Sequence, residues 1–214
     1  MRHETTARPR PFFWNVATIA KLLWCHQSAI FKMRKETPTI KSAIKEVMKV
    51  PNWRVSIPRR TGRPARSVRS ADHFDGTLDD EERHARNYPT ERRVFKWRNS
   101  LILAQPDGLT SRLAYEFKSC AKEFWVKFEK PVARLQVQIY GYLFGRPKVR
   151  YDIWLREEQE MISATEKTDR AYVEEQMEKW GRLVAGGMRP WPPKAIKCSS
   201  CDFLAECRIS PSTP

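Results

Sequence analysis

Ile19, Leu22, His26 and Ile30 recur at helical spacing behind Asn15, a residue suited to an N-cap, so a helix is expected from Asn15 to about Met33. A second, shorter helix is expected over Thr39 to Val50, stopped by Pro51. From Pro51 to Ala71 the periodicity disappears, and Pro58, Gly62 and Pro64 mark an irregular loop. After an acidic patch at Asp79 to Glu82 comes an expected short helix holding His84, and then the period changes to two. Arg93 to Arg98 and Ser100 to Gln105 read as extended, with Pro106-Asp107-Gly108 as a turn. From Arg112 to Lys118 the alternation is clean: Leu113, Tyr115 and Phe117 on one face, Ala114, Glu116 and Lys118 on the other. That pattern predicts a half-buried strand. Val132, Leu135, Ile139 and Tyr142 predict a helix over Lys130 to Phe144, and Lys148 to Leu155 a further strand. Asp169 to Ala185 predicts a last helix, with Val173, Met177, Trp180 and Val184 on one face and Gly186-Gly187 as its stop.

This order of elements fits an α/β domain in which helices flank a central mixed sheet. Its expected parts are an N-terminal helical segment (1–50), a basic loop (51–80), a core (81–190) and a C-terminal cysteine segment (191–214), all in one compact unit. No internal repeat is visible.

Charge narrows the partners. Lys and Arg number 40 against 25 Asp and Glu, a formal net charge of +15 over 214 residues. Such a surplus favours a polyanion, because neutralising phosphates releases condensed counterions. Residues 51–71 concentrate it: Arg54, Arg59, Arg60, Arg63, Arg66 and Arg69 occur there without one acid. They read as phosphate contacts, or alternatively as a solvated loop. The apolar stretch from Pro11 to Trp24 resembles a signal peptide in outline, but Asn15 and Lys21 interrupt it and no small-residue cleavage site follows. The expectation is a cytoplasmic protein with no membrane association.

Asp107, Glu116 and Lys118 are the residues that could cleave a phosphodiester. That reaction needs a divalent cation to neutralise phosphate charge and activate water, and carboxylates are the hard donors Mg²⁺ or Mn²⁺ prefers. Glu116 and Lys118 stand two apart on the expected strand, so they share a face. Asp107 sits in the turn before it. The competing reading is an exposed salt bridge on an edge strand. Downstream, Gln136 and Tyr140 are four apart on the expected helix and share a face that can reach a cleft or simply bound the core.

The five cysteines, at 25, 120, 198, 201 and 207, do not suggest a disulfide framework. Cys198, Cys201 and Cys207 have metal-ligand spacing and need a fourth donor, for which Cys25 and Cys120 are the candidates. Cys120, just past the Glu-x-Lys strand, suits a small buried hydrophobe better. Spacing alone leaves zinc and an iron–sulfur cluster equally open.

Taken in order, these residues resemble the RecB-like PD-(D/E)XK nucleases that carry an iron–sulfur cluster, above all the CRISPR-associated protein four family. The matching elements are a cysteine in an N-terminal helix, a histidine, Asp107, Glu116-Phe117-Lys118, Gln136 to Tyr140, and Cys198-x2-Cys201-x5-Cys207. They span the chain from about Ala17 to Cys207. The resemblance implies a restriction-endonuclease-like core and a 4Fe–4S cluster on Cys25, Cys198, Cys201 and Cys207 that joins the N-terminal helix to the C-terminal segment. It also implies one Mn²⁺ or Mg²⁺ on a histidine, Asp107 and Glu116, with Lys118 catalytic and Gln136 and Tyr140 positioning substrate or scaffolding the site. The histidine is His84 or His73, with His84 favoured by its short connection to Asp107. The implied activity is exonuclease action on single-stranded DNA, often 5′→3′, with pre-spacer trimming beside the CRISPR spacer integrase as its antiviral setting. One local signature is missing: His26-Gln27 follows Cys25 where the family has Pro-Arg. The alternative readings are a non-catalytic iron–sulfur DNA-binding module and a zinc-stabilised nucleic-acid-binding protein.

Overall fold

The computed structural model describes residues 13–49, 89–185, 198, 201–205 and 207. His73, His84 and the arginines at 54, 59, 60, 63, 66 and 69 lie outside the described residues.

Two mixed sheets are present where the sequence suggested one. The first has the order β1 (Phe13–Asn15), β3 (Ser100–Ala104), β2 (Arg93–Trp97), with β1 parallel and β2 antiparallel to β3. The second runs β4 (Gly108–Leu109), β5 (Leu113–Cys120), β6 (Lys148–Leu155), β7 (Glu160–Lys167). Only β5 and β6 are parallel in it, joined across α3 (Glu123–Phe144). A parallel pair needs a crossover of this kind, because a tight turn cannot bring the chain back to the same end. Phe95 and Ile102 from the first sheet and Ala114, Tyr151 and Ile153 from the second belong to one buried cluster with Leu135 and Ile139 of α3.

The expected N-terminal helix is broken in two. Asn15 caps α1 (Val16–Ala20) by accepting the Thr18 N–H at 2.6 Å, but a 3-10 turn at Lys21–Leu23 intervenes before α2 (His26–Lys49) begins. Helix α2 then runs on through Pro38, where the sequence suggested a break. A proline inside a helix costs about 3 kcal/mol. Ile40 and Ile44, beyond it, are buried against Val94 with Phe13, Leu101 and Leu103 alongside. Burying two isoleucines is worth about 3–6 kcal/mol, enough to offset the proline.

Strand β5 is covered on both faces rather than half-buried: Ala114, Tyr115, Glu116 and Phe117 are all buried. Its neighbours β4 and β6 make it an interior strand, so the edge-strand reading of Glu116 and Lys118 does not apply. Helix α3 begins at Glu123, earlier than the apolar stripe suggested, and contains Pro131. Gly145 ends it at φ 64°, and the Arg146 N–H reaches back to the Gly141 carbonyl at 2.8 Å, a left-handed stop that glycine adopts without strain. Strand β7 was not expected at all. Helix α4 (Arg170–Val184) follows the sequence pattern at Val173, Met177 and Trp180, but Leu183 is its last buried residue and Val184 is half-buried; Asp169 caps it through the Tyr172 N–H at 3.0 Å. Among the described residues no helix is long and apolar enough to cross a membrane.

Candidate active site

The turn before β5 returns antiparallel to it: Gly108 pairs with Tyr115 and Leu109 with Ala114. One step further along this register stands Asp107, beside Glu116. Its Oδ2 accepts the backbone N–H of Phe117 at 2.8 Å, which fixes the carboxylate over the strand segment that carries Glu116 and Lys118. Alternation puts those two on one face, and the Lys118 ammonium donates to Glu116 Oε1. Glu116 is 1% exposed, a burial that a carboxylate tolerates only with a charged or metal partner.

Helix α3 crosses above and brings two more polar groups to the same place. Gln136 and Tyr140 are both buried, and Gln136 Nε2 donates to the Tyr140 hydroxyl at 3.4 Å. Burial and then the negative Glu116 and Asp107 hold the Tyr140 phenol well above its usual pKa. The same charges meet at Lys118: burial alone lowers its pKa, but Glu116 and Asp107 more than reverse this and keep the ammonium charged. Burial raises the Asp107 carboxyl, opposed by Lys118 and the Phe117 N–H. Asp107, Glu116, Lys118, Gln136 and Tyr140 thus share one neighbourhood, drawn from a turn, a strand and a helix.

The buried Glu116 and the half-buried Asp107 carboxyl groups beside one ammonium are hard oxygen donors, the chemistry that suits Mg²⁺ or Mn²⁺. Among the described residues, no three His, Cys, Asp or Glu side chains stand as a set ready to grip a single ion. The third donor expected here, His84 or His73, falls outside them.

The cysteines separate into two groups. Cys120 is buried in the hydrophobic cluster, with its sulfur 3.6 Å from the Lys122 carbonyl. Cys25, Cys201 and Cys207 lie within electrostatic reach of Cys198, whose thiol burial raises and they raise further, but among the described residues no three of these sulfurs stand as a set that grips one metal. Phe31 on α2 stacks on Phe203 at 5.6 Å, seating the C-terminal segment against the helix that follows Cys25. The Cys201 N–H reaches the Cys198 carbonyl at 3.1 Å, and the Ser28 N–H points at the Cys25 sulfur at 3.5 Å. Cysteine sulfurs are the soft donors that iron–sulfur clusters and zinc take.

The sequence reading missed Glu129, whose charge reaches both Lys118 and Lys21. It also missed Gln138, which ties α3 to its neighbours by donating to the Lys167 carbonyl at 3.0 Å and accepting the Asp169 N–H at 2.8 Å. Helical phase alone signals Glu129: it precedes Gln136 by seven residues, two turns of α3.

No protein-family model matches the chain, and no curated protein matches it. Among solved structures it is similar to SSO0001, at 15% identity over 97% of this chain and 91% of that one, with a TM-score of 0.49. It is also similar to the alkaline exonuclease of Laribacter hongkongensis in complex with dAMP, at 12% identity over 91% and 92%, with a TM-score of 0.45. A phage-related exonuclease from Haemophilus somnus matches at 13% identity over 82% and 92%, with a TM-score of 0.41. Likeness this loose transfers no activity, so function rests on the side chains.

Proposed function

We propose that this chain is a metal-dependent deoxyribonuclease of the PD-(D/E)XK type, acting as an exonuclease on single-stranded DNA or single-stranded overhangs. The observation that carries the reading is the meeting of Asp107, Glu116 and Lys118, with the turn carboxylate held by the Phe117 N–H at 2.8 Å. Asp107 and Glu116, with His84 or His73, would hold the cation. When bound, Mg²⁺ or Mn²⁺ neutralises phosphate charge and lowers the pKa of water.

The remaining work falls to the protein's own groups. Lys118 stays protonated at the Glu116 carboxylate and can orient the attacking water or stabilise the charge that develops on phosphate. Tyr140 also keeps its proton, so its hydroxyl serves as a donor and a positioning group rather than as a base. Gln136 fixes the direction of that hydroxyl. The arginines at 59, 60, 63, 66 and 69 would contact phosphates away from the centre, and Cys25, Cys198, Cys201 and Cys207 would hold a 4Fe–4S cluster. Pre-spacer trimming beside a CRISPR spacer integrase is the cellular task the family resemblance suggests.

The test is cleavage of an end-labelled single-stranded oligonucleotide with Mn²⁺ or Mg²⁺. Cleavage that is lost on chelation and in Glu116→Gln supports the reading. Binding of DNA with no metal-dependent turnover would instead make the chain a recognition module.

A further inference from the structure

The first turns of α3 carry a group of aromatic rings that the proposed chemistry does not use. Phe124, 47% exposed, stands 6.0 Å from Phe128 and 5.2 Å from Trp125, and Phe128 stands 5.7 Å from Trp24. Phe128 and Trp24 are half-buried, Trp24 against the core, so Phe124 is the ring that gains most when an incoming flat apolar face displaces its water. Phe124 and Phe128 are one helical turn apart, and Lys127 lies over both, its Nζ 3.9 Å and 5.2 Å from the two ring centres.

Chain order joins the ridge to residues whose charge acts on the carboxylate centre. Phe128 is followed by Glu129, which interacts with Lys118, and Trp24 closes the 3-10 turn that starts at Lys21. Lys21 is exposed and lies within electrostatic reach of Lys32, Glu129 and Lys118. Lysines that repel one another this way gain when an anion arrives between them. Glu129 offsets part of that charge.

We propose that the Phe124–Phe128–Trp24 ridge is a stacking platform for the unpaired bases of single-stranded DNA, with Lys127 and Lys21 taking the adjoining phosphates, and that it feeds the strand to Lys118. A protein-binding face would gain little from ammonium groups laid over its rings. For an unpaired strand the two features are complementary: every base offers a π-face and every linkage a negative charge. Lys127 can swing from the ring to a phosphate, freeing that face for a base. The proposal rests on the nuclease reading for its destination, but the platform is tested without any cutting.

In EDTA, the full chain is titrated with a fluorescent oligo-dT strand and with a matched strand bearing abasic sites, monitored by anisotropy. The wild-type protein should bind the base-bearing strand about tenfold more tightly, the scale of one lost stacking contact. Phe124→Ala should narrow that preference several-fold, Phe124→Tyr should restore it, and Lys127→Ala should weaken both strands and flatten the salt dependence. Matching circular dichroism among the variants establishes that they are folded. The proposal is overturned if Phe124→Ala keeps the full wild-type preference for bases, or if sedimentation shows that its main defect is loss of self-association. Normal stacking in a protein that never cuts would sink the nuclease reading and leave the platform standing. Cutting by a protein whose Phe124→Ala variant keeps the wild-type preference would do the opposite.

Discussion

The Phe117 backbone N–H donates to Asp107 Oδ2 at 2.8 Å, so a residue in the turn is fixed by the strand that carries Glu116 and Lys118. The bond separates two duties of the Asp107 side chain, being an acceptor and being an anion. Asp107→Asn keeps an acceptor oxygen for Phe117 and removes the charge. It should leave the melting temperature within a few degrees of wild type while lowering metal-dependent cleavage by about 100-fold or more, the scale of losing one electrostatic stabiliser. Asp107→Ala removes both, and should melt lower than Asp107→Asn. Thermal melts alongside a cleavage assay read the two effects separately.

Lys118 and Glu116 form a pair in which only the lysine reaches solvent, with side chains 27% and 1% exposed. Lys118→Met leaves the buried carboxylate without its ammonium, a change that costs about 3 kcal/mol at a buried pair. Adding Glu116→Gln should recover much of that loss, since the buried Glu116 charge goes with it and Asp107 keeps the Phe117 N–H, but none of the cleavage. A double mutant no more stable than Lys118→Met would mean that the pair does not hold the strand together.

Gly141 sits one residue beyond Tyr140, where α3 presses on β6 and the start of α4. A methyl group there would lie 2.4 Å from Val149 Cγ1 and 2.6 Å from Thr168 Oγ1, so the helix must move. Gly141→Ala should destabilise the fold by about 1–3 kcal/mol, as overpacking does. Because the same helix carries Tyr140 and Gln136, kcat should fall as well. Gly181, with open space around it, is the control: Gly181→Ala should be neutral or slightly stabilising.

For the cysteines, iron and acid-labile sulfide analysis should give one iron–sulfur cluster per chain. Serine at Cys25, Cys198, Cys201 or Cys207 should each lower the iron content and the visible absorption. Cys120→Ser should change neither, because that thiol is packed among apolar side chains. Zinc in place of iron, with the same residue dependence, would keep the ligand set and discard the cluster.

The sequence made β5 and the site it carries legible, because period-two alternation dictates which residues share a face and a turn signal precedes it. It also made α4 legible, where an Asp cap and a full apolar stripe agree. Burial on both faces of β5 was not legible, since alternation reports side-chain polarity and Glu116 is a polar residue that the fold buries. Strand β7 escaped because its burial is only partial, as befits an edge, and Glu160 to Lys167 offers few apolar positions to count. The run of α2 through Pro38 is set by distant contacts of Ile40 and Ile44, which no local rule contains. Phe124 and Phe128 sat outside the expected helix because the apolar stripe that placed it begins only at Val132.

The parallel pairing of β1 with β3, Phe13 opposite Leu101 and Asn15 opposite Leu103, has a consequence for oxygen tolerance. This mooring of the early chain is made of peptide groups and owes nothing to sulfur. If the proposed cluster were lost to air, this strand pairing would stay, and the Phe31–Phe203 stack would still tie Phe203 to α2. Damage would be graded, and reconstitution would start from a nearly assembled body.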